Sequence, residues 1–215
     1  VMFSGGLDSA VVLYLAKKHH PNVTAISFGL PGSSDIDIAK RYCSENNIRH
    51  IIFTFTKEDL IANIQETIYY SESFEKIDGI DSTIAHFGYY VANRLGFKVS
   101  LCGEGSDEIF YGYDLFKDHE YPADLSRYRL TNLHRTDLQR VDRASMRNTV
   151  EARVPFMNRS LVQYVLTLKD HLKLRDGIEK YILREAFRDA LTDSIIDRPK
   201  IRMPDGIGVK NTIVD

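Results

Sequence analysis

The sequence predicts an α/β fold: an open parallel sheet sandwiched by helices over about residues 1–113, followed by a mostly helical part over about 114–215. Three observations predict it. Short runs of apolar and β-branched residues alternate with helix-length segments through the first half, the pattern of strands joined by helical crossovers and covered on both faces. Beyond Tyr113 no convincing strand is found up to Ile196, and the apolar residues keep helical spacing. The composition, 43% apolar and 27% charged over 215 residues, supports one large core and excludes wholesale disorder.

The elements follow in order. Val1-Met2-Phe3 reads as the tail of a buried strand, and residues 10–18 as a helix with Val11, Val12, Leu15 and Ala16 on one side. Pro21-Asn22 breaks the chain before a second strand over 23–28, and residues 29–34, with Pro31 and two glycines, form a loop. A helix over 35–45, a strand over 51–55, helices over 57–70 and 82–95, and a fourth strand over 98–101 complete the first half. In the second half, helical spacing recurs over 161–168 and 181–191, and residues 198–208, with two prolines and two glycines, read as a loop. The helical half is expected to pack against the open edge of the sheet. The chain opens on Val1 directly before a motif and closes on Asn211-Thr212-Ile213-Val214-Asp215 with no helix stop, so a fragment of a longer protein is expected.

Charge and composition narrow the function. A net charge of −2 gives no global positive field, so no nucleic-acid partner is expected. No apolar run approaches the ~20 residues of a membrane span, so no membrane partner is expected either. Cys43 and Cys102 make no disulfide framework, and a reducing cytoplasm is the expected compartment. Seven histidines lie scattered without metal-ligand spacing, against a zinc site.

Two loops carry the chemistry. Ser4-Gly5-Gly6-Leu7-Asp8-Ser9 joins the first strand to the first helix. Its glycines let backbone approach a ligand, the helix start offers free N–H groups, and two serines add hydroxyls, a set suited to a pyrophosphate. Asp8 would repel that anion unless a cation lay between them, which points to Mg²⁺. There is no Lys-Ser/Thr pair of the Walker loop. A bare glycine pair would also suit an ordinary tight turn. The second loop, Gly103-Glu104-Gly105-Ser106-Asp107-Glu108, follows the fourth strand, so both loops face the crevice at the carboxyl ends of the strands. Three carboxylates within residues 104–108 repel one another unless a metal and a basic residue share the site. Helix capping alone would account for Ser106-Asp107-Glu108, but not for Gly-Glu-Gly.

The first loop resembles the SGGxDS loop of the ATP pyrophosphatase superfamily. The second, with Phe110-Tyr111-Gly112-Tyr113, resembles the signature of asparagine synthetases in their synthetase domain. The likeness continues at Gly29-Leu30-Pro31-Gly32-Ser33, at Val150 to Phe156, at Glu179 to Glu185, and from Arg198-Pro199-Lys200 to Gly208, in the family's order. The resemblance implies an adenine-nucleotide alpha hydrolase-like sheet and an ATP-dependent ligase that adenylates a carboxylate and transfers ammonia to it. It implies that Ser4, Gly5, Gly6, Asp8 and Ser9 hold the ATP phosphates, with Asp8 and Asp107 on Mg²⁺. Met2, Phe28, Cys102 and Gly103 would line the nucleotide, Cys102 by packing and not as a nucleophile. Lys180 would neutralise charge on the α-phosphate and departing pyrophosphate, and Glu104 would contact the acyl-adenylate and take a proton from ammonia. Asp137 also matches a family acid and is the third catalytic candidate beside Glu104 and Lys180, a carboxylate that would pair with Arg or Lys. Glu151 and Arg153 read as a structural ion pair.

Aspartate, giving asparagine, is the favoured substrate, with ammonia from a glutaminase domain upstream of this chain or a separate subunit, and a homodimer as one compatible assembly. The chain departs from the family in two respects. It holds no glutaminase nucleophile, since neither cysteine opens a domain. Nor does an arginine stand in residues 76–83, where asparagine synthetases carry a Thr-Thr-x-Arg-like grip on aspartate. Amidation or ring closure of a different acid, as in β-lactam synthetases, and a non-catalytic nucleotide-binding module are the alternatives.

Overall fold

The computed structural model describes residues 1–209, with no account of the side chains at 76–78. The expectation drawn from residues 211–215 lies outside the described residues. The element order is α1 (Leu7–His19), β1 (Thr24–Gly29), α2 (Ser34–Glu45), β2 (Arg49–Thr54), α3 (Lys57–Ser71), α4 (Lys76–Arg94), β3 (Val99–Leu101), α5 (Ser106–Phe110), α6 (Pro122–Asn132), α7 (Asp137–Arg147) and β4 (Glu151–Arg153). After these come α8 (Arg159–Thr167), α9 (Asp170–Lys173), the two-residue strands β5 (Leu174–Arg175) and β6 (Ile178–Glu179), α10 (Tyr181–Ala186), α11 (Asp193–Ile196) and α12 (Met203–Gly206).

β1 pairs with β2 and β3 with β4, both parallel. The opening residues join the two pairs. Met2 bridges Ile26 in parallel, the Phe3 N–H donates to the Ile26 carbonyl at 2.8 Å, and the Met2 N–H donates to the Leu101 carbonyl at 2.9 Å. The spatial order is therefore β2, β1, residues 1–3, β3, β4. Chain order reverses between residues 1–3 and β3, and such a reversal opens a crevice beyond the carboxyl ends of the two strands. Both loops of interest leave from those ends.

The sequence accounts for most of these elements. Residues in β1 are buried save Phe28, as a strand covered on both faces requires. α1 has Asp8 in its first turn and Lys17, Lys18 and His19 in its last, matching the helix dipole at both ends. α3 opens with a capping box: the Thr56 hydroxyl accepts the Asp59 N–H at 3.1 Å and the Asp59 carboxylate accepts the Thr56 N–H at 2.8 Å. One core cluster joins Phe3, Leu7, Val11 and Leu13 to Ile109, Phe156 and Ile195, tying the sheet to the helical half.

The second half corrects one expectation. Glu151–Arg153 is a strand, paired with β3 at the edge of the sheet, and β5 and β6 form a small antiparallel ribbon. Three residues with Glu and Arg exposed at either end of Ala152 carry no apolar run to read. The Glu151–Arg153 ion pair is present at 2.8 Å; both side chains are exposed, so it contributes little. α4 begins six residues before the predicted 82, and residues 198–208 include the short α12.

Candidate active site

The crevice is a cleft lined from both loops, from α4 and α7, and from residues 179–207. The first loop is closed on itself. The Ser9 hydroxyl donates to the Gly6 carbonyl at 3.1 Å and accepts the Ser4 N–H at 3.3 Å. The two loops touch at Gly103: a Cβ there would lie 2.8 Å from the Asp8 Cβ and 3.0 Å from the Ser9 nitrogen, so only glycine permits this approach.

Four charges meet where the loops touch. Lys180, buried, places its Nζ 2.5 Å from Asp8 Oδ2 and 2.6 Å from Asp107 Oδ1. Lys200 Nζ lies 2.6 Å from Asp107 Oδ2, and the Ser106 hydroxyl donates to Asp8 Oδ1 at 2.7 Å. Burial favours a neutral Asp107, but the two ammonium groups outweigh it and hold that carboxyl far below the usual range. Lys200 shifts upward for the converse reason: burial opposes its charge, and Asp107 and Asp8 more than compensate. Lys180 sits at the start of α10 with φ +54°, a conformation uncommon for a side-chain-bearing residue. Gly112 leaves the space these partners occupy, since a Cβ there would collide with Asp107 Oδ1 and Lys180 Cε.

The three carboxylates of 104–108 separate by direction. Asp107 faces the lysines. Glu108 points inward, accepting from the Tyr113 hydroxyl at 2.8 Å and pairing with Arg129 at 3.4 Å. Glu104 lines the cleft. Burial pushes its carboxyl up to about 7, with Arg140 opposing and Asp137 adding to the rise. A carboxylate poised near neutrality suits proton transfer.

Of the residues singled out in the sequence, Met2, Ser4, Gly6, Asp8, Ser9, Phe28, Cys102, Gly103, Glu104, Asp107 and Lys180 line the cleft. Gly5 backs the first loop against α2 instead, where a Cβ would crowd Asp35 and Ala39. Asp137 stands behind the wall, ion-paired with Arg140, which does line it. Cys102 is buried and its thiol is pushed up to about 12, chiefly by burial, as befits a packing residue.

Sequence reasoning assigned no role to Lys200, Arg140 or the Glu179–Arg184 pair. Arg184 donates to the Glu179 carboxylate at 2.5 Å and to the carbonyls of Ile196 and Arg198, and Glu179 accepts the Lys200 N–H at 3.0 Å. This buried network presents Lys200 to the cleft. Its signals in the sequence were the two segments of likeness, Glu179 to Glu185 and Arg198-Pro199-Lys200.

Two carboxylates from different loops that converge on one cation fit Mg²⁺, which binds through one or two carboxylates plus phosphate and water oxygens. Among the described residues no group of three or more His, Cys, Asp or Glu could hold a metal alone, so phosphate oxygens would complete the set. Among the described residues no helix is long and apolar enough to cross a membrane, and both cysteines are free.

Comparison with known proteins adds to this geometry. The chain matches the family model described as Asparagine synthase over residues 1–127 and 118–213. It is 30% identical over 227 residues to asparagine synthetase B (glutamine-hydrolyzing) of Escherichia coli strain K12, covering 97% of this chain and 41% of the relative. It is 34% identical over 230 residues to asparagine synthetase (glutamine-hydrolyzing) 1 of Lotus japonicus, covering 97% and 39%. Against the asparagine synthetase (glutamine-hydrolyzing) of Gallus gallus the identity is 32% over 220 residues, covering 96% and 39%. The chain thus spans about two fifths of the length of these relatives.

Proposed function

The chain belongs to the asparagine synthase family, and from that premise we propose that its cleft activates a carboxylate with ATP and passes ammonia to the acyl-adenylate, giving an amide, AMP and pyrophosphate. Aspartate, yielding asparagine, is the favoured substrate. The observation that carries this reading is the meeting of Asp8 and Asp107, from two loops, on the Lys180 ammonium at 2.5 and 2.6 Å. It lies in the cleft that Glu104 also lines.

In this reading Ser4, Gly6 and Ser9 face the phosphates and Gly5 fixes the turn behind them. Met2, Phe28, Cys102 and Gly103 take the adenosine. Asp8 and Asp107 would hold Mg²⁺, which supplies charge neutralisation between the phosphates and these acids. A carboxylate oxygen of the substrate attacks the α-phosphorus, and the bond to pyrophosphate breaks. Lys180 and Lys200 balance the charge that gathers on the departing oxygens. Ammonia then adds to the acyl carbon, Glu104 accepts a proton from it, and the bond to AMP breaks. Asp137 holds Arg140 beside Glu104.

The relatives' names include glutamine hydrolysis, so we assign the ammonia to a glutaminase domain outside this chain or to a separate subunit. A cytoplasmic homodimer is the proposed setting. A related synthetase that amidates or cyclises another acid is the second reading, favoured by the acidic Asp81 in the stretch where an arginine was expected.

ATP–pyrophosphate exchange in the full-length protein tests the reading. Exchange is expected to need Mg²⁺ and a carboxylic acid, and to be abolished by Asp8→Asn, which leaves Lys180 paired with Asp107 and the fold intact. Exchange at wild-type rate in Asp8→Asn, or exchange that needs no acid, contradicts it.

A further inference from the structure

Beside the phosphate end of the cleft, but outside its lining, stands a column of side chains that the mechanism does not use. Tyr111 and Phe116 stack with ring centroids 4.7 Å apart and planes 13° from parallel, and Tyr113 continues the column 6.4 Å from Phe116 at 17°. A cation rests on each tyrosine ring. Lys173 Nζ lies 4.6 Å from the Tyr111 centroid, and the Arg129 guanidinium 4.2 Å from that of Tyr113. Tyr111, Phe116 and Lys173 are all fully buried.

Tyr111 is the joint between this column and the site. Its φ is +60°, in the left-handed region where a bulky side chain is an outlier. Such a conformation persists only where the surroundings enforce it. The residues on either side of Tyr111 reach the paired charges of the cleft. The Phe110 carbonyl accepts the Lys180 N–H at 3.2 Å, and the Gly112 N–H donates to the Asp107 carbonyl at 2.9 Å. Lys180 is left-handed as well, so two strained residues meet across one carbonyl. On its other side, the Tyr111 hydroxyl donates to Asp170 Oδ1 at 2.6 Å. Asp170 and Lys173 are the two ends of α9, and the chain runs from α9 through β5 and β6 directly to Lys180. Residues 170–180 are therefore tied to the 110–112 turn at both ends, by the Tyr111 side chain and by the Phe110 carbonyl. With the first tie cut, the segment that delivers Lys180 is free to shift against α5, which carries Asp107.

We infer that Tyr111 is a positioning residue for the proposed adenylation: through its bond to Asp170 and its contact with Lys173 it fixes Lys180 between Asp8 and Asp107. The inference deepens the reading of the cleft as an adenylating site and rests on it. A lysine ammonium rides on a flexible four-carbon stem. One that must meet charge as it develops on departing oxygens gains from a backbone held in place.

The test combines ATP–pyrophosphate exchange with chemical labelling, both on the full-length protein. Tyr111→Phe keeps the stacked ring and deletes the hydroxyl. Asp170 is exposed, so no buried group is left unpaired and native melting is expected. The variant should lower kcat roughly 10-fold, within the about 100-fold that a misplacement of about 1 Å costs. KM for ATP and for the acid should stay unchanged, because the charge that Lys180 answers develops in the transition state. Asp170→Asn, which still accepts the hydroxyl, should retain the wild-type rate, and Asp170→Ala should match Tyr111→Phe. The double variant Tyr111→Phe/Asp170→Ala should be no slower than either single one. Labelling of Lys180 by acetic anhydride, followed by mass spectrometry, reads its position without turnover. It should speed up several-fold in Tyr111→Phe and Asp170→Ala and stay slow in Asp170→Asn. Wild-type kcat in Tyr111→Phe, a loss confined to KM for ATP, losses that multiply in the double variant, or unchanged Lys180 labelling in Tyr111→Phe each overturns the inference. Wild-type exchange that needs no acid defeats the adenylation reading instead, a different result from a change in labelling.

Discussion

At the scale of single residues, the site is a set of charges whose neighbours decide their state. Glu104 is the clearest case. Its folded-state carboxyl sits near 7, above the usual carboxylate range. An acid shifted this way is least costly when protonated, so the folded protein loses stability as pH rises through 7. Glu104→Gln is therefore expected to raise the melting temperature at pH 8, by about 2–4 °C for ~1 kcal/mol in a protein of this size. The gain should fade at pH 5, where the native carboxyl is protonated anyway. The same variant should lose amide formation, and wild-type amide formation should rise across pH 7 relative to the variant at one ammonia concentration. A variant that is active and no more stable at pH 8 would remove Glu104 from the role of base. Lys180 behaves differently. Replacing it by Ala leaves Asp8 and Asp107 facing each other without their shared cation. A loss of about 3–5 kcal/mol is expected on top of lost activity, measurable by urea denaturation.

At the scale of elements, two loops have to touch. Gly103→Ala puts a methyl 2.8 Å from the Asp8 Cβ. The backbone must shift, and overpacking of this kind costs about 1–3 kcal/mol. The expected result is a folded protein with little pyrophosphate exchange; a variant with native exchange would show that the contact is dispensable. The elements also show why part of the fold was legible. Residues 1–3, β1, β2 and β3 were readable because short apolar and β-branched runs stand between turn signals, although only residues 2–3 and β1 are largely buried. β4 was not, because Glu151 and Arg153 are exposed at a sheet edge and three residues hold no period. α4 begins before its apolar spacing settles, which moved its predicted start from 76 to 82.

At the scale of the molecule, the cleft is assembled from segments far apart in the chain. Lys180 and Asp8 are 172 positions apart, and Lys200 and Asp107 are 93 apart. The glycine-rich loops could be read because their residues are contiguous. Lys200 and Arg140 could not, because a lysine in a loop and an arginine on a helix ordinarily face solvent, and only the tertiary fold brings their acids to them. Arg184 is the joint in this assembly, gripping Glu179 and the carbonyls of Ile196 and Arg198 while Glu179 holds the Lys200 backbone. Arg184→Met should lower stability by about 3–5 kcal/mol, the cost of breaking a buried pair, and raise KM for ATP by misplacing Lys200. Thermal melting and exchange kinetics check the two effects separately.

The cleft's proposed work is to join a carboxylate oxygen to the α-phosphorus of ATP. The most direct measurement is the fate of ¹⁸O carried in the substrate carboxylate during amide formation by the full-length protein. Adenylation at the α-phosphorus places one labelled oxygen in AMP and none in pyrophosphate or phosphate. Label recovered in inorganic phosphate, with ADP as the nucleotide product, would contradict the account.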